Sequence, residues 1–226
     1  MPTCLDLFSG LGGFSAAFRD ADGWDVVTVE IEGKFDPDIQ ADVMDLRPAD
    51  LPDADVILAS VPCVDLSLAC MVQKWDSEAG RHPRYLPKSE AVVDSVALVY
   101  RTLWLIQAKA PRYWFLENPS TGMLRHLIGE PAGVVHYCQY GRDYKKPTGL
   151  WGIHPAIEYR RCPGRDKCGH TKNTDGDHGG PGNFEVAGSD SSERAKVPYE
   201  LSASILESVE RGYAETPERQ ATVDAF

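Results

Sequence analysis

Positive charge is scarce in this chain: 23 Lys and Arg stand against 34 Asp and Glu, a formal net charge of −11 at pH 7. That balance argues against a generic nucleic-acid binder, because phosphate contacts favour a basic surface. It does not exclude an enzyme acting on nucleic acid, since local basic residues can line one cleft. Lys74, Arg81, Arg84 and Lys88 form one such group, and Arg142, Lys145, Lys146, Arg160, Arg161 and Arg165 form another. Also missing are a signal peptide, an apolar run of membrane length and an internal repeat, so no membrane partner is expected. The six cysteines do not fall into the pattern of a small secreted domain, and the expectation is a reducing cytoplasm. At 226 residues the chain suits one α/β domain with a small insertion.

What is present is concentrated in three segments. In Leu5 to Ser15 (LDLFSGLGGFS), an apolar run from Thr3 to Phe8 with Asp6 inside it predicts a strand. Gly10, Gly12 and Gly13 then allow a tight turn and close approach of backbone to a ligand. A helix from about Phe14 to Ala21 would point its N-terminus at that ligand. A second apolar run, Trp24 to Val29, ends in Glu30, a carboxylate placed to accept both hydroxyls of a ribose. Gly-x-Gly-Gly departs from the dinucleotide pattern Gly-x-Gly-x-x-Gly, so a sulfonium nucleoside without phosphate suits the turn better than a pyrophosphate. Taken alone, the turn is equally well an ordinary βα loop.

The second segment, Asp55 to Ser67 (DVILASVPCVDLS), holds Cys63 at the mouth of a strand behind the fixed-φ residue Pro62, a natural nucleophile position. Its alternative is a buried small hydrophobe. The third, Tyr113 to Pro119 (YWFLENP), presents Glu117 after the apolar Trp114, Phe115 and Leu116, where the alternative is a solvated strand end.

Phe8-Ser9-Gly10-x-Gly12-Gly13, Pro62-Cys63 and Glu117-Asn118 occur in this order at the ends of successive predicted strands. In that combination the chain resembles the DNA (cytosine-5)-methyltransferases, over roughly Thr3 to Trp151 and a closing fragment around Ala195 to Val209. The resemblance implies a Rossmann-like, doubly wound α/β sheet with a small irregular insertion. It implies S-adenosylmethionine as cofactor, DNA as partner, and Cys63 adding to carbon 6 of cytosine while Glu117 holds or supplies a proton at N3; a monomer is expected. Asn118 and Pro119 would fix the turn that presents the acid. Pro62, Ser67, Asn118 and Lys146 are then expected on the substrate side. Asp6, Phe8, Ser9, Gly10, Gly12, Gly13, Glu30 and Asp42 are expected on the cofactor side, Phe8 as an aromatic contact and Asp42 against the adenine. The target base would be flipped out of the duplex, with Val64 to Pro87 as a loop closing over it. Small size and a reduced recognition region resemble versions carried by phages, which would work in a host cytoplasm.

The chain departs from the family pattern in several places. Pro119 stands where most members have Val. Lys146 falls where the first of two Arg residues is expected and Thr148 where the second is, and Lys does not replace Arg at a bidentate contact. The expected organisation is a catalytic core over 1–151, a reduced recognition insert over 152–194, a closing helix over 195–214 and a flexible tail over 215–226. So short an insert implies a short target context. Within it, Cys162, Cys168 and His170, with His178 completing four ligands, offer a zinc site; the spacing Cys-x5-Cys-x-His is looser than familiar Cys-x2-Cys knuckles, and a loop with two free cysteines is the alternative. Cys4 belongs to the first strand, whereas Cys70 and Cys138 have no evident task.

Two helices complete the expectation. One is capped by Ser89, buries Val92, Val93, Val96, Leu103 and Ile106, and ends at Pro111. The closing helix has Pro198 in its first turn and a stripe of Leu201, Ile205, Leu206 and Val209. Other readings are RNA cytosine methylation, transfer of a modified one-carbon group, a non-catalytic DNA-binding or regulatory relative, and a nicotinamide oxidoreductase. The last gives no reason for Pro62-Cys63 or Glu117-Asn118.

Overall fold

The computed structural model describes residues 1–170, 172–173 and 195–215. In chain order the strands are β1 (Thr3–Leu7), β2 (Asp25–Glu30), β3 (Ile39–Gln40), β4 (Val56–Ala59), β5 (Trp75–Ser77), β6 (Tyr85–Pro87), β7 (Tyr113–Pro119), β8 (Gly133–His136), β9 (Tyr144–Lys145), β10 (Pro147–Ile153) and β11 (Lys172–Asn173). Seven of them make one sheet in the order β3-β2-β1-β4-β7-β10-β8. β3, β2, β1, β4 and β7 are parallel, and β10 runs antiparallel to both of its neighbours. Leu7 lies level with Val29 and Ala59, and Ala59 with Leu116. The residues that follow these four positions therefore emerge along one carboxyl edge, which is where open α/β sheets bind ligands.

Helices cover both faces, which makes the sheet doubly wound. α1 (Ala16–Asp20) and α6 (Tyr199–Glu215) lie on one face, where Phe14, Phe18, Leu201, Ile205 and Val209 pack on Cys4, Val56, Leu58 and Phe115. α3 (Glu90–Lys109) lies on the other, where Val92, Val99, Leu105 and Ile106 pack on Leu5, Leu7, Ile57, Ala59 and Leu116. Alternate residues of β1 and β4 thus serve opposite cores, as the two-residue period of a strand requires. By length and composition alone α3 could cross a membrane, unlike the sequence expectation, but one of its faces is part of this core.

Five local expectations are corrected. α1 is five residues long and not eight, because Phe14 and Ser15 are still part of the turn, with the Phe14 carbonyl accepting from the Ser202 hydroxyl. Ser89 stands at the N-terminus of α3 but makes no side-chain capping bond. Val93 is half exposed, and Val99, Thr102 and Leu105 extend the buried stripe in its place. Residues 64–87 are ordered locally: α2 (Met71–Lys74) leads into the hairpin β5–β6, and the buried Trp75 donates its ring N–H to the Asp65 carbonyl. In α6, Leu206 is only partly buried, and Ser202, Ser208 and Gly212 complete the inner face. Two short helices, α4 (Leu124–Ile128) and α5 (Arg165–Cys168), finish the described set. Most of the expected insert, His178 included, and residues 216–226 of the expected tail lie outside the described residues.

Candidate active site and cofactor pocket

After β4 the chain passes Val61 and Pro62 and turns at Cys63, whose carbonyl accepts from the amides of Leu66 (3.1 Å) and Ser67 (2.9 Å). This tight turn fixes the nucleophile candidate at the sheet edge. Gly122, in the loop after β7, backs it so closely that a Cβ there would lie 2.3 Å from the Leu66 carbonyl oxygen. Asn118 ties the two loops together from below: it is fully buried, and its amide donates to the Val61 carbonyl at 2.8 Å. Asn118 therefore acts on position, holding the acid-bearing strand end to the residue before Pro62. Ser67 gives its hydroxyl to Cys70 Sγ (3.7 Å), and Pro62 is exposed at the rim.

Glu117, next to Asn118 on β7, is buried with its Oε1 accepting from the Tyr137 hydroxyl at 3.1 Å. Lys146 Nζ lies 3.6 Å from the same oxygen and 4.7 Å from the centre of the Tyr137 ring. Burial opposes the charge on Lys146, but Tyr137, Glu117 and Cys63 around it hold its pKa well above the usual lysine range. Burial pushes the Cys63 thiol up, the Lys146 charge pulls it down, and Glu117 pushes it up again. Thiol, acid and ammonium are thus close enough to feel one another at one edge of the sheet. Tyr137 was not singled out from the sequence. It follows an ordinary edge strand, and only the pairing of β8 with β10 carries it to Glu117.

The cofactor candidates divide into those that face space and those that build the turn. Ser9, Gly10 and Gly12 line a cavity of about 400 Å³ together with Arg19, Thr28, Phe35 and Asp38. Gly10 and Gly12 have φ of 48° and 67°, and a Cβ on Gly10 would meet nothing within 4 Å. Phe8 shares the left-handed region at 62° and packs on the core of the α3 face. Glu30 braces the turn, its Oε2 accepting from Gly10 N–H at 3.0 Å and its Oε1 from the Ile31 amide at 2.8 Å. The Gly10 amide that would face a phosphate is thereby used, and a carboxylate stands beside it. That arrangement fits a phosphate-free, cationic nucleoside such as S-adenosylmethionine.

Gly13 serves the closing helix: a Cβ there would lie 2.5 Å from the Val197 carbonyl oxygen. Asp6 is sealed beneath the turn, accepting from the Ser15 hydroxyl at 2.6 Å while its second oxygen has no partner. Burial raises it to about 7, against the Ser15 hydrogen bond and Arg19, which lower it. Asp42 accepts from the Met44 amide at 2.9 Å, capping its own turn, and is not among the walls of the cavity.

Next to the segment that carries Tyr137, Cys138, Cys162, Cys168 and His170 converge, with their ligand atoms all within 4.8 Å of one another. Burial and contact with Cys168 push Cys138 up to about 12. Burial works against Cys168 too, yet hydrogen bonds from His170, Cys138 and Cys162 bring it down to about 7. Three of the four metal candidates named from the sequence are thus brought together, with Cys138 beside them, while the fourth, His178, lies outside the described residues.

Residues 2–127 match the family model for C-5 cytosine-specific DNA methylases. The Frog virus 3 (isolate Goorha) protein called "Probable DNA (cytosine-5)-methyltransferase" is 31% identical over 172 residues, covering 73% of this chain and 76% of its own length. Type II methyltransferase M.HaeII of Haemophilus aegyptius is 33% identical over 122 residues, covering 50% of this chain and 33% of that protein. For M.HhaI of Haemophilus parahaemolyticus the figures are 24% over 148 residues, 62% and 40%. The chain therefore spans most of the viral relative and well under half of these two bacterial ones. Because the family model covers more than half of it, the chain belongs to the C-5 cytosine-specific DNA methylase family, whose enzymes depend on S-adenosylmethionine.

Proposed function

We propose that this protein methylates carbon 5 of cytosine in DNA and reads only a short sequence context around it. The observation that carries this reading is the mutual placement of Cys63, Lys146 and Glu117 at the carboxyl edge of the sheet, beside the open glycine-rich turn. The short stretch of chain between β10, ending at Ile153, and the closing helix, starting at Tyr199, supports the short context.

Carbon 5 of cytosine is a weak nucleophile, and the chain's own residues must change that. Cys63, as thiolate, forms a bond to carbon 6; the carbon 5–carbon 6 π bond breaks and its electrons spread through the ring toward N3. Lys146 stabilises the thiolate before attack. Glu117, steadied by the Tyr137 hydroxyl and Lys146, faces N3 and holds the proton that the developing charge demands. Ser9, Gly10 and Gly12 would hold S-adenosylmethionine with Glu30 behind them, and its sulfonium would supply an electrophilic methyl group and depart as the neutral thioether. Once carbon 5 is substituted, loss of its proton to a base re-forms the π bond and expels Cys63 as thiolate. Reaching the base requires unstacking it from the duplex, on the order of a few kcal/mol, and residues 64–87 stand beside Cys63 to cover it.

The test is incubation with labelled S-adenosylmethionine and unmodified DNA, followed by digestion to nucleosides. Label in 5-methylcytosine is expected, and Cys63→Ser should lose transfer while keeping cofactor affinity measured by calorimetry. Transfer by Cys63→Ser at the parental rate, or label confined to RNA when both acids are offered, overturns the reading.

A further inference from the structure

Three cysteines and a histidine from separate parts of the chain meet beside the active site, and the proposed reaction uses none of them. Cys138 lies in the turn after β8, Cys162 follows β10, Cys168 ends α5 and His170 comes two residues later. Cys162 Sγ stands 3.6 Å from His170 Nδ1, and no pair among the four ligand atoms exceeds 4.8 Å. Bond lengths of about 2.3 Å to sulfur and about 2.0–2.1 Å to nitrogen make the edges of a tetrahedral zinc site about 3.5–3.8 Å. One edge already has that length, and a contraction of about 1 Å closes the longest.

We propose that Cys138, Cys162, Cys168 and His170 bind one structural zinc ion, and that this ion clamps the start of the insert onto the wall of the active site. The chemistry of the set is that of a closed site, with three thiols, one imidazole and no carboxylate. Its surroundings are ordered for the purpose. Gln139 Nε2 donates to Cys168 Sγ at 2.9 Å, the kind of bond that steadies a thiolate ligand, and His136 Nδ1 accepts from the Cys162 amide at 2.9 Å. Cys138 is the residue after Tyr137, which bonds Glu117, and just beyond His170 β11 pairs with β9, the strand before Lys146. Zinc at this point therefore ties together the two segments that supply Tyr137 and Lys146. The claim does not depend on the reaction proposed above.

The full chain, purified without a polyhistidine tag or added metal, should contain about one zinc per molecule by mass spectrometry. Replacement by cobalt should give the intense visible bands of a four-coordinate thiolate site. Cys138→Ser should weaken zinc binding more than the roughly 10–100-fold typical of losing a supporting hydrogen bond, while His178→Ala should leave it unchanged. If Cys138→Ser does not fold, the sulfur-to-cobalt charge-transfer intensity of the unaltered protein counts the thiolates, and three are expected. Absence of stoichiometric metal together with no cobalt spectrum, a count of two thiolates, a disulfide among the three cysteines, or loss of binding in His178→Ala overturns the proposal.

Discussion

Lys146→Gln isolates the electrostatic part of the proposed mechanism. The ammonium lies 3.6 Å from Glu117 Oε1, and the two side chains are 13% and 6% exposed, so solvent screens them little. At an effective dielectric of about 20 this separation corresponds to a gross attraction of about 4–5 kcal/mol. If the Cys63 thiolate feels between a third and about half as much, it loses about 1.5–2.3 kcal/mol of stabilisation in the variant, a roughly 10- to 50-fold fall in transfer near neutral pH. The sign follows from the thiol: burial already raises its pKa and Lys146 opposes that rise, so removing the charge moves the rising limb of the pH–rate profile upward. Activity should recover as pH increases. Single-turnover methyl transfer from pH 6 to 10 reads this directly, with urea unfolding run alongside because stripping one partner from a buried ion pair costs about 3–5 kcal/mol. Lys146→Arg keeps the charge and should keep the parental limb. A folded Lys146→Gln protein whose profile superimposes on the parent's refutes the argument, whatever its absolute rate.

Two further substitutions test the frame of the site. Asp6 is raised to about 7 from an ordinary 3.8, so its contribution to stability is complete below about pH 4 and is lost as pH climbs through 7, a span of about 4 kcal/mol. Asp6→Asn retains an acceptor for the Ser15 hydroxyl and cannot ionise; its urea-unfolding free energy should be flatter than the parent's between pH 5 and 8, and equal slopes would contradict the burial argument. Gly122→Ala drives a methyl group into the Leu66 carbonyl, a backbone atom that cannot swing aside. A loss of about 2–3 kcal/mol, or roughly 5–10 °C in Tm, is expected together with reduced transfer, because Leu66 belongs to the Cys63 turn. A change below about 0.5 kcal/mol would show that the loops are not in such close contact.

The edge of the sheet was legible in the sequence for a simple reason. β1, β4 and β7 are buried on both faces, so apart from Asp6 their polar residues lie at or near their ends, and Gly10, Cys63 and Glu117 stand out against apolar runs. Pattern alone could not say what each end residue touches. Glu30, by its spacing a ribose ligand, turns inward to brace Gly10; Gly13, by its spacing part of the cofactor turn, makes room for Val197; Asn118, expected on the substrate side, fastens the loop of Cys63 to the strand end of Glu117.

The sequence by itself determined the apolar strands, the residue types at their carboxyl ends and the amphipathic closing helix, because each depends on neighbours a few positions away. Only the tertiary structure decided that Tyr137 reaches Glu117, that Lys146 pairs with the acid within electrostatic reach of the thiol, and that Cys138 joins Cys162, Cys168 and His170. Those contacts are set by β10 inserting antiparallel between β7 and β8, and strand order is fixed by packing of whole elements on both faces of the sheet, which no local spacing encodes.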